Sequence, residues 1–281
     1  MSDIVISNKE KLKRKKERIL EDGIDSLFVV SDFDRTLTKH FSETHKVLSL
    51  VQMLREEGYL GEEYTKKARG LFEKYHPYEI DMTISFEEKN AKMEEWWRTH
   101  NQYFIDYGLN TRVVDEMVKK RKAGFRDGAI EFMTDLHENN IPLVIISASG
   151  LGFVIDDYLE KNKVFYKNTK IITNYIEFDE KGMAVGSREP VITTTNKYLA
   201  AKEHMSELKN INGKKKNIML LGDSYEDEKM ANSFFHEDIL KIGFLNEKVD
   251  ERLDDYKGAY DVVILNDGKM DYVIELLDEL K

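Results

Sequence analysis

Six short apolar runs constrain this chain more than any other feature of its 281 residues: Phe28-Val29-Val30, "PLVIIS", "KIITNY", "NIMLLGD", "LKIGFL" and "DVVIL". Stretches of helical period separate them, near Ala129 to Leu136 and near Val154 to Leu159. Runs so continuous have no polar face, so they suit a sheet covered on both sides, and strands that alternate with helices pair in parallel. The expectation is an α/β fold. One long interruption breaks the alternation, for between Thr44 and about Lys122 the apolar period is 3.6. Val47, Leu48, Leu50, Val51 and Leu54 make one stripe, Ala68, Leu71, Phe72 and Tyr75 another, and Val113, Val114 and Met117 a third. The spacing predicts a helical bundle inserted after the first strand of the sheet. The expected division is a charged N-terminal helix over 1–25, a core over 26–40 and 125–281, and a helical insertion over 41–124.

Composition removes several classes of function. There is no cysteine, which excludes disulfides, thiolate metal sites and cysteine nucleophiles. A formal net charge of -10 argues against binding to nucleic acid or anionic membranes. No apolar run approaches the roughly 20 residues that span a bilayer, and the N-terminus lacks the apolar core of a signal peptide. A soluble cytoplasmic protein is expected, with no obligate protein partner evident. The stretch "NKEKLKRKKERILEDG" reads as a solvated helix packed by a weak stripe of Leu12, Ile19 and Leu20, and "EFDEKGMAVG" as a hairpin turning near Lys181-Gly182.

Ligands of open parallel sheets bind outside the carboxyl ends of the strands, so the residues there carry the functional reading. Asp32 and Asp34 follow the first strand. Ser147, Ala148, Ser149 and Gly150 follow "PLVII", and Asp223 and Asp227 follow "NIMLLG". Lys197 stands at the entry to a predicted helix between the last two. Like charges this close disfavour each other, and a hard cation such as Mg²⁺ relieves that repulsion while binding phosphate oxygens. A carboxylate can attack phosphorus, a second can protonate the leaving alkoxide and later activate water, and a serine and a lysine can hold the non-bridging oxygens. The set suits phosphoryl transfer.

The D-x-D-x-T loop from Asp32 to Thr36, Ser147 at its strand end, Lys197 and "GDSYED" at Gly222 to Asp227 together resemble the four motifs of the haloacid dehalogenase (HAD) phosphatases, in order and spacing. More narrowly, "YHPYEIDMTISFEEKNAKMEEWW", "NYIEFDEKG", "TNK", "LLGDSYEDEKMA" and "ILKIGFLNEKVDERLDDY" are similar to the cytosolic pyrimidine 5′-nucleotidases, from about Leu27 to the C-terminus. The resemblance implies an HAD-like Rossmannoid core with an inserted helical cap. It implies that Asp32 is the nucleophile and Asp34 the general acid/base, with Mg²⁺ held by Asp32, Asp34 through its main-chain carbonyl, and Asp223. Thr36 and Asp227 support, the latter orienting water or Lys197, while Ser147, Ala148 and Lys197 contact the phosphate. One departure is visible. The family reads Ser-Ala-Gly-x-Gly where this chain has Ser147-Ala148-Ser149-Gly150-Leu151-Gly152, one residue longer.

Selectivity is expected from the insertion, because the chemistry is indifferent to the leaving alcohol. Met93, Trp97, His100 and Phe104 fall in one stripe, which reads Trp97 as bundle core, with Glu95 opposite and Trp96 beside it. The resemblance implies that Glu95 binds the nucleotide base, with Trp96 stacking on it. Such a pair suits a cytosine amine, or a cationic 7-methylguanine. The expected substrate is therefore a nucleoside 5′-monophosphate: CMP, UMP or 7-methylguanosine monophosphate. A different phosphomonoester such as phosphoserine, or an inactive scaffold of the same fold, are the competing readings. Cap closure is expected to hinge near Thr38 to Phe41 and Ala123 to Asp127.

Overall fold

The computed structural model describes residues 3–42, 45–81, 83–120, 124–204 and 215–281. The apolar runs are strands: β2 (Leu27–Ser31), β3 (Leu143–Ile146), β4 (Thr169–Ile172), β7 (Asn217–Gly222), β8 (Asp238–Leu245) and β9 (Val262–Leu265). They pair in parallel in the order β9-β8-β7-β2-β3-β4. Strand β1 (Ile4–Ile6) adds to β9 antiparallel, with Val5 opposite Val263. Three residues are too few to show a period, so the sequence pattern does not predict this strand.

Both faces are covered, as the continuous runs require. One face packs Val29, Ile145 and Met219 against α1 (Lys9–Asp22), α6 (Ala129–Glu138), α7 (Phe153–Lys161) and the C-terminal helix α10 (Asp271–Asp278). The other packs Val30, Ile146 and Leu220 against α8 (Lys197–Glu203), a 3-10 helix over Glu226–Ser233 and α9 (Val249–Ala259). The buried face of α1 is Leu12, Lys15 and Ile19, whereas Leu20 is exposed. Lys15 is tolerated there because its ammonium meets Asp261 at 2.6 Å. The predicted hairpin forms from β5 (Ile176–Phe178) and β6 (Ala184–Ser187), with Gly182 at φ 76 in the turn.

Between β2 and β3 lie α2 (Leu50–Glu56), α3 (Glu62–Ile80), α4 (Phe86–Asp106) and α5 (Thr111–Lys120). Helix α2 begins later than its stripe, because the Ser49 hydroxyl caps the Gln52 amide while the Gln52 side chain returns to Ser49. Val47 and Leu48 therefore precede the helix. Thr44 and Lys122, the expected ends of the helical stretch, lie outside the described residues, as does Ala123. The helices bury Leu54, Tyr64, Phe104 and Met117 in one cluster that also takes Leu151, Val154 and Ile176 from the sheet domain. The two connecting segments run side by side, with Thr38 bridged to Phe125 and the Lys39 amide donating to the Gly124 carbonyl at 3.0 Å.

Candidate active site

Sheet register brings the carboxyl ends of three strands level. Ser31 pairs with Leu221 on one side and Ile145 on the other, so Asp32, Asp223 and Ser147 emerge within one or two residues of the same line. The Asp32 amide donates to Leu221 O at 3.0 Å, which holds the loop to β7. Lys197 opens α8 and is buried with its ammonium 2.5 Å from Asp32 Oδ1 and 2.7 Å from Asp227 Oδ1. Asp227 uses its other oxygen to accept from the amides of Asp223 and Ser224, at 3.1 and 3.0 Å. Oxygens of Asp32, Asp223 and Asp227 all lie within 4.8 Å of one another.

Burial dominates the electrostatics. It pushes the Asp32 carboxyl well above the usual carboxylate range, against the pull of Lys197, and the charges of Asp227 and Asp223 add to the push. Asp223 is raised to about 7, by burial first and Asp227 second, with Arg35 opposing. Burial works against the Lys197 charge, but Asp227 and Asp32 outweigh it and hold the ammonium firmly protonated. Among the described residues, Lys197 is the one cation these carboxylates share at contact distance, so the cluster is rich in negative charge for its burial.

Around this centre the Thr36 hydroxyl approaches Asp32 Oδ2 at 3.4 Å, and the buried Ser147 oxygen accepts from the Ser149 amide at 3.1 Å. Ala148 is half-buried in the same loop. In the lengthened stretch, Leu151 turns away into the apolar cluster of the inserted helices. Asp34 is half-buried and lines a small cavity of about 50 Å³ with Leu50, Val118, Ser149 and Tyr158, room for a water rather than a nucleoside. The larger cavity, about 1070 Å³, lies elsewhere, beneath Lys39, Phe125 and Tyr272, and none of the clustered aspartates lines it.

Trp97 departs from its expected place. Trp97 is half-buried rather than bundle core, and its ring covers the backbone of Gly150 so closely that a Cβ there would stand 2.6 Å from Cζ3. Trp96 stacks on Tyr75, centroids 6.0 Å apart, beside Phe72. The stripe angle put Trp97 with Met93, His100 and Phe104 in the bundle core, but how α4 packs turns its ring toward the sheet domain. Glu95 is exposed, paired with Lys74 at 3.4 Å and Lys92 at 3.2 Å, and hydrogen bonds from Tyr75 and Lys92 draw it down to about 2. These contacts hold Glu95 and Trp96 to α3 and α4. Sequence reasoning also passed over Asn246 and Asp267, which stand just past β8 and β9. The strand-end rule that found Asp223 would have found them too.

The tip of the insertion touches the loop that leads to Lys197. Thr194 donates to Glu79 and Thr195 to Asn90, both at 3.1 Å, while Phe86 packs on Tyr198, centroids 5.6 Å apart. The inserted helices are therefore seated on the segment that carries the lysine.

Comparison with known proteins follows this geometry. The family Pyrimidine 5'-nucleotidase (UMPH-1) matches residues 35–281. A 7-methylguanosine phosphate-specific 5'-nucleotidase B of Xenopus laevis is 35% identical over 269 residues, 95% of this chain and 92% of that protein. The likeness thus reaches into the N-terminal segment, further than the motifs alone indicate. Among solved structures, a cytosolic 5'-nucleotidase IIIB bound to cytidine superposes with a TM-score of 0.86 at 27% identity, covering all of this chain (100%) and 94% of the other. A substrate-bound phosphoserine phosphatase, at 16% identity and TM-score 0.54 over 89% of this chain and 97% of its own, shares the HAD fold.

Proposed function

The chain belongs to the pyrimidine 5′-nucleotidase family, and on that premise we propose that it hydrolyses CMP, UMP or 7-methylguanosine monophosphate through an aspartyl-phosphate on Asp32. The observation that carries this reading is the convergence of Asp32, Lys197 and Asp227 at 2.5 and 2.7 Å on the edge where Asp223 and Ser147 also emerge. It is a 5′-nucleotidase of the HAD fold; the substrate and the residue roles are the parts proposed.

A nucleophile must be dry and aimed, and Asp32 is both. Its carboxylate oxygen attacks phosphorus while Lys197, the Ser147 hydroxyl and the Ala148 amide hold the non-bridging oxygens. The Asp34 carboxyl donates its proton to the departing 5′ oxygen. It then takes a proton from the water that hydrolyses the aspartyl-phosphate, which frees Asp32 for another cycle. Both Asp227 oxygens are already engaged by Lys197 and two amides. That supports Asp227 as the residue that orients Lys197, and leaves Asp32 and Asp223, with the Asp34 carbonyl, as the oxygen set that would hold Mg²⁺. An all-oxygen donor set of excess negative charge fits that hard ion. When bound, it would supply positive charge to the phosphoryl oxygens.

The cap reading of 41–124 is supported by the seating of Glu79 and Asn90 on Thr194 and Thr195. Opening about the paired segments near Thr38 and Phe125 would admit the nucleoside that the cavity at Asp34 has no room for, and closing would exclude water. Glu95 is the proposed base contact, with Trp96 beside it, since surface ion pairs such as those to Lys74 and Lys92 are cheap to exchange for a ligand. A cytoplasmic setting is supported by the relatives' cytosolic designation, and no described helix is long and apolar enough to cross a membrane.

Acid-quenching the enzyme during turnover of phosphorus-32-labelled nucleotide tests the covalent step. Label that survives acid, is released by hydroxylamine and maps to the Asp32 peptide is expected. Turnover without such label would contradict the mechanism.

A further inference from the structure

A fully buried arginine outside the motifs ties the catalytic loop to both connecting segments. Arg126 is 1% exposed and its Cζ lies over the Phe244 ring, 4.1 Å from the centroid. Its Nε donates to the Thr36 carbonyl at 2.7 Å, Nη1 to the Gly268 carbonyl at 2.6 Å, and Nη2 to both the Arg35 carbonyl and Asn246 Oδ1, the latter at 3.0 Å. Asp267 supplies the countercharge at 3.1 Å and also accepts the amides of His40 and Phe41, each at 2.9 Å. The Arg126 amide itself donates to Leu37 O at 2.8 Å.

What this network holds is the turn between Asp34 and Thr36. Arg35 has φ 64, a left-handed conformation that a side-chain-bearing residue adopts only when its surroundings enforce it. Its carbonyl accepts from Arg126 and from Asn246 Nδ2 at 3.0 Å, while its amide donates to Thr38 Oγ1 at 3.0 Å. With both peptide groups of that residue pinned, the direction in which Asp34 leaves the backbone is set. Burying a guanidinium is costly, and four acceptors arranged around one planar fork explain why arginine stands here; lysine, with three donors on one atom, cannot reach them all.

We infer that Arg126, with Asn246, is a positioning residue for the nucleotidase reaction, fixing the left-handed turn at Arg35 so that Asp34 is aimed at the leaving oxygen. The inference rests on the reading of Asp34 as the acid that protonates that oxygen. Arg126 makes no hydrogen bond to Asp32, and its charge also reaches Asp223, so alignment is separated from charge by comparing two leaving groups.

The test exploits leaving groups. A nucleoside alkoxide needs a proton as it departs, whereas p-nitrophenolate does not, so loss of a well-aimed acid lowers kcat/KM for the nucleotide selectively. The ratio of kcat/KM for the best nucleotide to that for p-nitrophenyl phosphate is measured in wild type, Asp34→Asn, Arg126→Lys and Asn246→Ala. The ratio should fall about 100-fold in Asp34→Asn, about 10-fold in Arg126→Lys and a few-fold in Asn246→Ala, within the range a general acid contributes. A fold-stability role alone would lower both substrates together through the fraction of folded enzyme, and an unchanged ratio in Arg126→Lys alongside a fallen one in Asp34→Asn overturns the inference. An unchanged ratio in Asp34→Asn overturns instead the reading of Asp34 on which it rests. Should Arg126→Lys fail to fold, Asn246→Ala, which removes one donor from the Arg35 carbonyl and leaves the guanidinium, decides by the same ratio.

Discussion

Asp32 and Glu95 are both carboxylates paired with lysine, yet the side chain of one is 5% exposed and that of the other 47%. Asp32 meets Lys197 inside a dry cluster where Asp227, itself held by two amides, fixes the lysine in turn. Glu95 meets Lys74 and Lys92 in water, on long side chains that can swing away. On the roles proposed for the two residues, the difference shows how the work would be divided. Phosphoryl chemistry needs groups aligned before the substrate arrives, because reorganisation at the moment of reaction is what a catalyst must avoid. Base recognition tolerates groups that change partner on binding, because a surface ion pair is worth only about 0–1 kcal/mol.

Substitution at the dry end should have the largest effect. Lys197→Met is expected to lower kcat by about 10³-fold, the scale seen when a preorganised stabiliser of the transition state is removed. It leaves Asp32 and Asp227 buried without their cation. A loss below tenfold in steady-state assays would show that the cluster is not preorganised around the lysine.

The same burial predicts a pH signature in metal-free protein. The Asp223 carboxyl is raised to about 7 by burial and by Asp227. Between the unfolded value near 4 and about 7, the folded state then binds more protons than the unfolded one. Stability conferred by that proton is complete at low pH and is lost as pH rises through this window. The thermal midpoint in chelator should therefore fall from pH 5 to pH 7.5, fall less steeply in Asp223→Asn, where the raised Asp32 carboxyl still contributes, and recover on adding Mg²⁺. A midpoint independent of both pH and Mg²⁺ would remove the charge-excess account of the metal site.

Gly150→Ala probes the seam between the two regions. The added Cβ would stand 2.6 Å from the Trp97 ring and 2.9 Å from Val51 Cγ2, so the two side chains of the insertion or the Gly150 loop must shift. Overpacking of this kind costs about 1–3 kcal/mol, and a calorimetric scan should show the loss together with a raised KM. An unchanged midpoint would mean that Trp97 moves freely.

Glu95→Gln should have the smallest effect on the chemistry itself. It is expected to raise KM for the preferred nucleotide about tenfold and to leave p-nitrophenyl phosphate hydrolysis unchanged, since its carboxylate is paired with Lys74 and Lys92 and not with the phosphate-handling groups. Equal loss on both substrates would erase the division between the two regions.

The sheet was legible because its strands are continuous apolar runs, which no other placement satisfies, and the motif residues were legible because strand ends are where parallel sheets put ligands. Strand β1 escaped because Ile4–Ile6 is shorter than a detectable period. Arg126 escaped for a different reason. A buried cation has no signature in a chain pattern, since what makes it tolerable is a set of carbonyls from Arg35, Thr36 and Gly268 that only folding gathers. Trp97 shares the stripe of Met93 and Phe104, and that its ring reaches Gly150 was decided by the seating of α4, a tertiary fact.

The most direct test of the central claim is Mg²⁺-dependent phosphate release from CMP, UMP, AMP, GMP, 7-methylguanosine monophosphate and phosphoserine, with Asp32→Asn as the blank. Selective release from CMP, UMP or the methylated guanylate, abolished in the variant, is the predicted result. Release from phosphoserine alone would contradict the base-recognising role of the insertion, and release that survives Asp32→Asn would contradict the covalent chemistry itself.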